Sequence, residues 1–137
     1  MTPIDLPVQV RNAFLLLWAS FAITTLEGVI ALFVPGLSED EFGHFLWWFL
    51  VGTFLLAAAN AYIIYCASCR RNWARNVLLG LALFFLALVL VSHYMLPTEW
   101  GEEDWWSNAT SGACAMMDAI AIYWLFTGAG ARWYATK

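Results

Sequence analysis

The chain alternates long apolar segments with short polar ones. Four apolar segments lie at about 13–34, 45–65, 77–96 and 109–127, and each approaches the roughly 20 helical residues that cross a bilayer. Pro35 and Gly36 end the first segment and Pro97 ends the third, because proline cannot continue a helix. The pattern predicts an all-α, polytopic membrane protein, a single domain over 1–137 with four transmembrane helices.

The charges in the connecting segments fall on two sides. Every basic residue lies before the first apolar segment, between the second and third, or after the fourth, whereas the other two connections carry only acidic charge. Lysine and arginine in short loops are retained in the cytoplasm, so we expect both termini inside the cell. The basic residues are Arg11, Arg70, Arg71, Arg75, Arg132 and Lys137, and the acidic residues of the other two connections are Glu39, Asp40, Glu41, Glu99, Glu102, Glu103 and Asp104.

Composition agrees with a lipid environment. Hydrophobic residues make up 63% of the chain and charged residues 12%, about half the charged fraction of an average soluble domain. The few scattered basic residues exclude a nucleic-acid-binding surface. The N-terminal residues lack a basic region and a small-residue cleavage site, so we expect a retained first helix rather than a signal peptide. These features suggest an integral membrane protein.

Short loops favour an antiparallel four-helix bundle. Transmembrane helices associate through small residues and interhelical hydrogen bonds, and such residues share one face in three of the segments. We therefore expect these faces, and a small-residue face on the third segment, to point inward. The faces are Ser20, Thr24, Glu27 and Ala31; Thr53, Ala57 and Asn60; Ser111, Ala115, Asp118 and Ile122; and Gly80 with Ala87.

Glu27 and Asp118 are the informative polar residues, since both lie inside apolar segments. An unpaired carboxylate at that depth is expensive, which favours the neutral acid. In a ring of four helices the first and fourth are neighbours, so the two carboxyls could approach each other. Such a site could carry a proton, bind a cation or hold a basic group, with Asn60 and His93 as further members. The alternative is a structural acid hydrogen-bonded to Asn60, Thr24 or a backbone carbonyl.

Other motifs predict no chemistry. Cys66 and Cys69 have the spacing of half a metal site, but a tetrahedral zinc site needs two more ligands, and Cys114 belongs across the membrane. The acidic loops lack a calcium-binding pattern. The sequence contains no Ser/His/Asp set, no nucleotide-binding glycine loop and no HExxH. We therefore expect no catalytic residues, no metal site, no cofactor and no enzyme activity.

The runs Arg71-Asn72-Trp73-Ala74-Arg75 and Leu125 to Trp133 resemble a family of short, four-span bacterial inner-membrane proteins. The resemblance implies the membrane and the fold, but no activity and no functional residues. A second, looser similarity joins Ala19–Gly28 to the first helix of small multidrug resistance transporters, which carries an essential glutamate. Those proteins have shorter loops, and their best-known members a weaker charge bias, and none has a counterpart of Asp118.

Two functions remain after these exclusions. The first is a non-enzymatic accessory, regulatory or immunity-type protein that binds a protein or peptide partner in the membrane or at the outer acidic loops. The alternative is a proton-coupled transporter of a small molecule or cation, in the form of a homo-oligomer, using Glu27 and Asp118. A membrane enzyme ranks third.

Overall fold

The protein is helical throughout the part of the chain that its computed structural model describes. That part comprises residues 6–31, 39–95 and 105–135, with side chains described except at 31, 39–47, 49, 88–90, 92–95 and 105–108. Its helices are α1 (Val8–Ala31), α2 (Glu39–Ser68), α3 (Asn72–Met95), α4 (Trp105–Phe126) and α5 (Gly128–Ala135).

Three of these helices are long and apolar enough to cross a membrane. Their apolar stretches are Val8–Ile30, Leu50–Ser68 and Ala109–Phe126, and α3 contributes a shorter one, Asn72–Ala87. The predictions of an all-α fold and of transmembrane helices are therefore confirmed at this level. The sequence pattern located α1 to α4 but not α5, which continues the chain beyond the predicted end of the fourth segment.

The helices pack in the order that short connections favour. Each of α1 to α4 contacts its neighbours in the chain, α1 packs most extensively against α4, and α5 contacts both α4 and α1. The buried apolar side chains come from the first half of α1, the end of α2, the start of α3, the second half of α4 and α5. The described core therefore lies at the basic end of the molecule, around the α2–α3 turn. It comprises Val10, Ala13, Phe14, Leu17, Ile64, Cys66, Ala67, Ala74, Leu78, Ala121, Leu125, Trp133 and Tyr134.

Several residues expected to point inward are exposed in the chain. Ser20 and Ile122 are buried as predicted, at 3% and 8% exposed. The predictions for two other residues on α4, two on α3 and one each on α1 and α2 are wrong. The buried side of α4 instead runs through Cys114, Ala121 and Leu125, and that of α3 through Ala74 and Leu78. The prediction from small residues chose the wrong faces because larger side chains fill most of the described core. The exposed residues are Thr24, Thr53, Gly80, Ala87, Ser111 and Ala115.

The α2–α3 turn is a helix-ending motif built on an arginine. Arg70 adopts φ 61°, the left-handed conformation that usually takes glycine. Its amide donates to the carbonyl of Ala67 at 3.0 Å, and the amide of Arg71 donates to the carbonyl of Cys66 at 3.2 Å. These are the two bonds of a Schellman motif. A side chain in this conformation costs about 1–2 kcal/mol, so other contacts of Arg70 must hold it there.

Thr127 separates α4 from α5, and two glycines in the first turn of α5 shape the break. Gly128 adopts φ +52°, which ends the α4 direction, and Thr127 supports the break by donating its hydroxyl to the carbonyl of Tyr123 at 2.6 Å. A Cβ on Gly130 would overlap the carbonyl oxygen of Trp124 and lie 2.8 Å from the Cα of Leu125. Gly130 therefore allows α5 to fold directly against the end of α4.

We expect Gly130→Ala to lower the free energy of unfolding by about 1–3 kcal/mol, the usual cost of overpacking. Thermal unfolding of the detergent-purified protein measures the change. Gly112→Ala is the matched control, because nothing lies within 4 Å of the Cβ it would add. Equal melting temperatures for Gly130→Ala and the wild type would contradict the close approach of α5 to α4.

Candidate functional site: a polar cluster between α1 and α4

A small polar cluster lies where α1 packs against α4. Ser20 is buried on α1, and its hydroxyl is the side-chain hydrogen-bonding neighbour of the Asp118 carboxyl on α4. Asp118 is half-buried at this interface and lies at the middle of the apolar stretch Ala109–Phe126. The structure therefore gives Asp118 a hydroxyl partner on the neighbouring helix at a depth where an ionised carboxylate is costly.

Cys114 belongs to the same cluster, whereas the sequence pattern led us to consider it only for a metal site with Cys66 and Cys69. It lies four residues before Asp118, so the two share a face of α4, and it is 4% exposed. Its thiol also has Ser20 as a hydrogen-bonding neighbour and lies within electrostatic range of both Glu27 and Asp118. The Cys114 thiol is therefore close enough to interact with both acids that the sequence singled out.

The other expected members of the site have different positions. Asn60 is half-buried on α2 and makes no hydrogen bond within the described residues. Thr24 donates its hydroxyl to the carbonyls of its own helix, to Ser20 at 3.0 Å and to Phe21 at 3.1 Å. Its proton is therefore engaged with backbone and is not donated to a carboxyl.

The remaining predicted site residues lie outside the described side chains. His93 falls on α3, and the first acidic run begins α2, but only their backbone is described. The second acidic run lies outside the described residues altogether. In the part of the chain that is described, no group of three or more His, Cys, Asp or Glu side chains could hold a metal ion. The acidic residues concerned are Glu39, Asp40 and Glu41 on α2, and Glu99, Glu102, Glu103 and Asp104 before α4.

A second polar cluster lies at the basic end, where side chains bind the last carbonyls of three helices. Tyr134 donates its hydroxyl to the carbonyl of Ala67 at the end of α2, at 2.6 Å. Arg70 donates from Nε to the carbonyl of Trp133 near the end of α5, at 3.0 Å, and its terminal nitrogen donates to the same oxygen. Arg75 reaches the carbonyl of Leu125 at the end of α4, at 3.4 Å. These are the carbonyls that a helix end leaves without a partner in its own helix.

Aromatic rings complete this basic-end clamp, which we define as Arg70, Arg75, Trp133 and Tyr134. The guanidinium of Arg70 lies 5.0 Å from the centre of the Trp133 ring. That of Arg75 lies 4.3 Å from the Phe126 ring and 4.7 Å from the Tyr134 ring. Such stacking is worth about 0.5–2 kcal/mol per pair. It offsets part of the cost of holding Arg75 half-buried with its Nε lacking a hydrogen-bond partner among the described residues.

Burial raises the pKa of Tyr134 to about 12, although the positive charge of Arg75 acts in the opposite direction. The phenol is 2% exposed and therefore stays neutral at any physiological pH. A neutral phenol keeps its proton for the carbonyl of Ala67, so the clamp does not depend on pH in that range.

Two signals in the sequence point to the features that were not predicted, Cys114 in the polar cluster and the basic-end clamp. Cys114 and Asp118 are four residues apart and face the same neighbouring helix. The run after Gly128 is an Arg-Trp-Tyr sequence, whose aromatic residues suit burial while the glycines suit a helix break. Neither signal identifies its partner, because the partners are Ser20 on a distant helix and backbone carbonyls, which every residue carries.

We expect Tyr134→Phe to lower the free energy of unfolding by about 1–3 kcal/mol, because a buried carbonyl loses its hydroxyl donor. Thermal unfolding in detergent checks the value. Tyr123→Phe removes the same hydroxyl from a tyrosine that is 65% exposed and should change stability by less than about 0.5 kcal/mol. Equal effects of the two substitutions would show that Tyr134 does not join α5 to α2.

Comparisons with known proteins add no relative. No protein-family model, no curated protein and no solved structure matches the chain. The resemblance drawn from Arg71–Arg75 and from the C-terminal run therefore stays a prediction.

Proposed function

We propose that the chain is a four-span protein of a bacterial inner membrane, with both termini and the α2–α3 turn in the cytoplasm. Two observations support this proposal. The backbone of α3 is helical over Asn72–Met95, which is 24 residues and long enough to cross the hydrocarbon core. The basic residues of the sequence also lie on one side of such a four-span arrangement, as retention of positive charge in the cytoplasm requires.

We propose further that the chain is a proton-coupled transporter of a small molecule or cation, using the polar cluster between α1 and α4. The observation that carries this proposal is the position of Asp118, at mid-membrane depth and against the Ser20 hydroxyl of another helix. No lysine or arginine occurs between 12 and 69 or between 76 and 131. The carboxyl therefore has no permanent counter-ion at its depth and is free to exchange a proton for a cation.

Each member of the cluster has a distinct part in this mechanism. Asp118 binds and releases the proton or cation, and Ser20 supplies a hydroxyl that can donate to the carboxylate or accept from the acid. Glu27 lies nearer the outer end of α1 and provides a second carboxyl on the way to the outer surface. Cys114 interacts electrostatically with both acids and has Ser20 as a hydrogen-bonding neighbour.

Proton exchange by the purified protein tests this proposal. We expect protein in liposomes loaded with potassium to take up protons in exchange for the cation after external acidification, recorded with an internal pH dye. Asp118→Asn should reduce the initial rate at least about tenfold. Glu27→Gln should reduce it less, since it lies away from Ser20. Difference infrared spectroscopy of the same variants should assign a titrating carboxyl band to Asp118.

Glu102→Gln is the control, because it removes a carboxyl from an outer loop and leaves the membrane interior unchanged. Asp118→Asn protein that folds normally and exchanges protons at the wild-type rate would exclude transport through this site and leave Asp118 with a structural role.

The second candidate is an accessory protein that binds a cationic partner at the outer surface. The length of α2 favours it: 30 helical residues extend about 45 Å, whereas the hydrocarbon core is about 30 Å thick. The helix therefore projects beyond the core, and its first residues are Glu39, Asp40 and Glu41. An acidic helix end is a suitable surface for a basic protein or peptide.

Charge reversal of this helix end tests the second candidate. If the chain works by partner binding, the triple variant Glu39→Lys, Asp40→Lys and Glu41→Lys should abolish co-purification of a stoichiometric partner from the native membrane, and Asp118→Asn should preserve it. The two candidate functions predict opposite outcomes for these two variants. A partner that is retained by the triple variant and lost with Asp118→Asn would reject binding at the acidic end.

A further inference from the structure

We propose that the α2–α3 turn binds the phosphate group of an anionic lipid. A concavity of about 450 Å3 opens at this turn and is lined by consecutive residues from the end of α2 to the start of α3. Two of these residues are arginines and one is a tryptophan. The lining residues are Cys69, Arg70, Arg71, Asn72 and Trp73. The inference needs only a membrane setting and is independent of transport and of partner binding.

The segment of the chain that lines this concavity carries positive charge and no acidic residue. The sequence contains no Asp or Glu from 42 to 98, a range that covers nearly all of α2 and the whole of α3. Arg71 is exposed, and its guanidinium makes no hydrogen bond or ion pair within the described residues. An arginine side chain offers five donors in a planar fork that matches two oxygens of a phosphate. Arg71 therefore presents a complete phosphate-binding group to the surface.

The backbone around Arg71 is fixed before any ligand arrives. Its amide is bound to the carbonyl of Cys66 at 3.2 Å, and the preceding Arg70 is held in the left-handed conformation by its contacts with Trp133. Asn72 and Trp73 begin α3, so the positive end of its dipole lies beside the arginines and offsets the negative end of the α2 dipole at the same turn. A rigid site of this kind loses little entropy on binding.

The depth of the concavity matches lipid headgroups rather than bulk water. The apolar stretch of α2 ends at Ser68, one residue before the concavity begins. Trp73 is 45% exposed at its edge, and tryptophan prefers the headgroup level of a bilayer. At that depth lipid phosphates are the most concentrated anions, and each nearby arginine contributes to attraction toward an anionic headgroup.

Lipid binding by native mass spectrometry tests the proposal directly. The probe is phosphatidylglycerol, with neutral phosphatidylcholine for comparison, titrated into the detergent-purified protein. We expect preferential binding of phosphatidylglycerol, reduced about fivefold by Arg71→Gln. Arg71→Lys should recover part of the affinity, since it keeps the charge and loses the planar fork. Arg71 is exposed, so these variants should unfold at the wild-type temperature.

Arg11→Gln is the matched control, because Arg11 is also an exposed arginine at the basic end but does not line the concavity. Equal losses for Arg11→Gln and Arg71→Gln would indicate diffuse surface charge and overturn the proposal. Equal binding of the two lipids by the wild type would also overturn it. Displacement of phosphatidylglycerol by inorganic phosphate at equal concentration would assign the site to a soluble anion, which contradicts the lipid assignment.

Discussion

Helix ends that meet at a membrane boundary leave backbone carbonyls that need hydrogen-bond donors, and this requirement organises the described structure. The ends of α2, α4 and α5 converge at the basic end, where the donors come from Tyr134, Arg75 and Arg70 respectively. Tyr134 and Arg75 belong to different helices from the carbonyls that they bind. Arg70 belongs to the turn after α2 and binds a carbonyl of α5. The hydrogen bonds that cap these helix ends therefore also join separate parts of the chain. Cations placed at helix C-termini also oppose the negative ends of the helix dipoles.

This clamp matters because apolar side chains cannot by themselves select one helix arrangement in lipid. Lipid tails are as apolar as leucine, so close packing and polar contacts decide how helices associate. The buried residues accordingly gather near the clamp, and Gly130 allows α5 to approach the end of α4 closely enough to take part. The polar cluster around Asp118 lies further along the same α1–α4 interface. We infer that the basic-end clamp fixes α1 against α4 and so places Ser20 opposite Asp118. The proposed proton exchange depends on that alignment, and so would a purely structural role of Asp118.

The arginines at the basic end serve several purposes at once. As positive charges in short connections they favour a cytoplasmic location, and as donors Arg70 and Arg75 cap helices. Arg71 takes part in neither kind of internal contact within the described residues, which is why it is the residue that we assign to a lipid phosphate. The acidic residues lie in the other two connecting segments, apart from Glu27, Asp118 and the N-terminal Asp5. The sequence thus separates basic from acidic connecting segments.

The sequence by itself located α1 to α4, because apolar length is a local property that a bilayer requires of every spanning helix. It did not give their bounds, since α2 extends over Glu39–Ser68, beyond both ends of its apolar segment. It also identified Glu27 and Asp118, since a carboxyl in an apolar segment is conspicuous without any knowledge of its neighbours. Only the tertiary structure decided which side of each helix is buried: Cys114 rather than Ala115 faces α1, and Ala74 rather than Gly80 faces the core. It also placed Ser20 beside Asp118 and Tyr134 beside the carbonyl of Ala67. The physical reason is that rotation of an apolar helix and the choice of a carbonyl partner depend on contacts between residues far apart in the chain, which leave no periodic signal in the sequence.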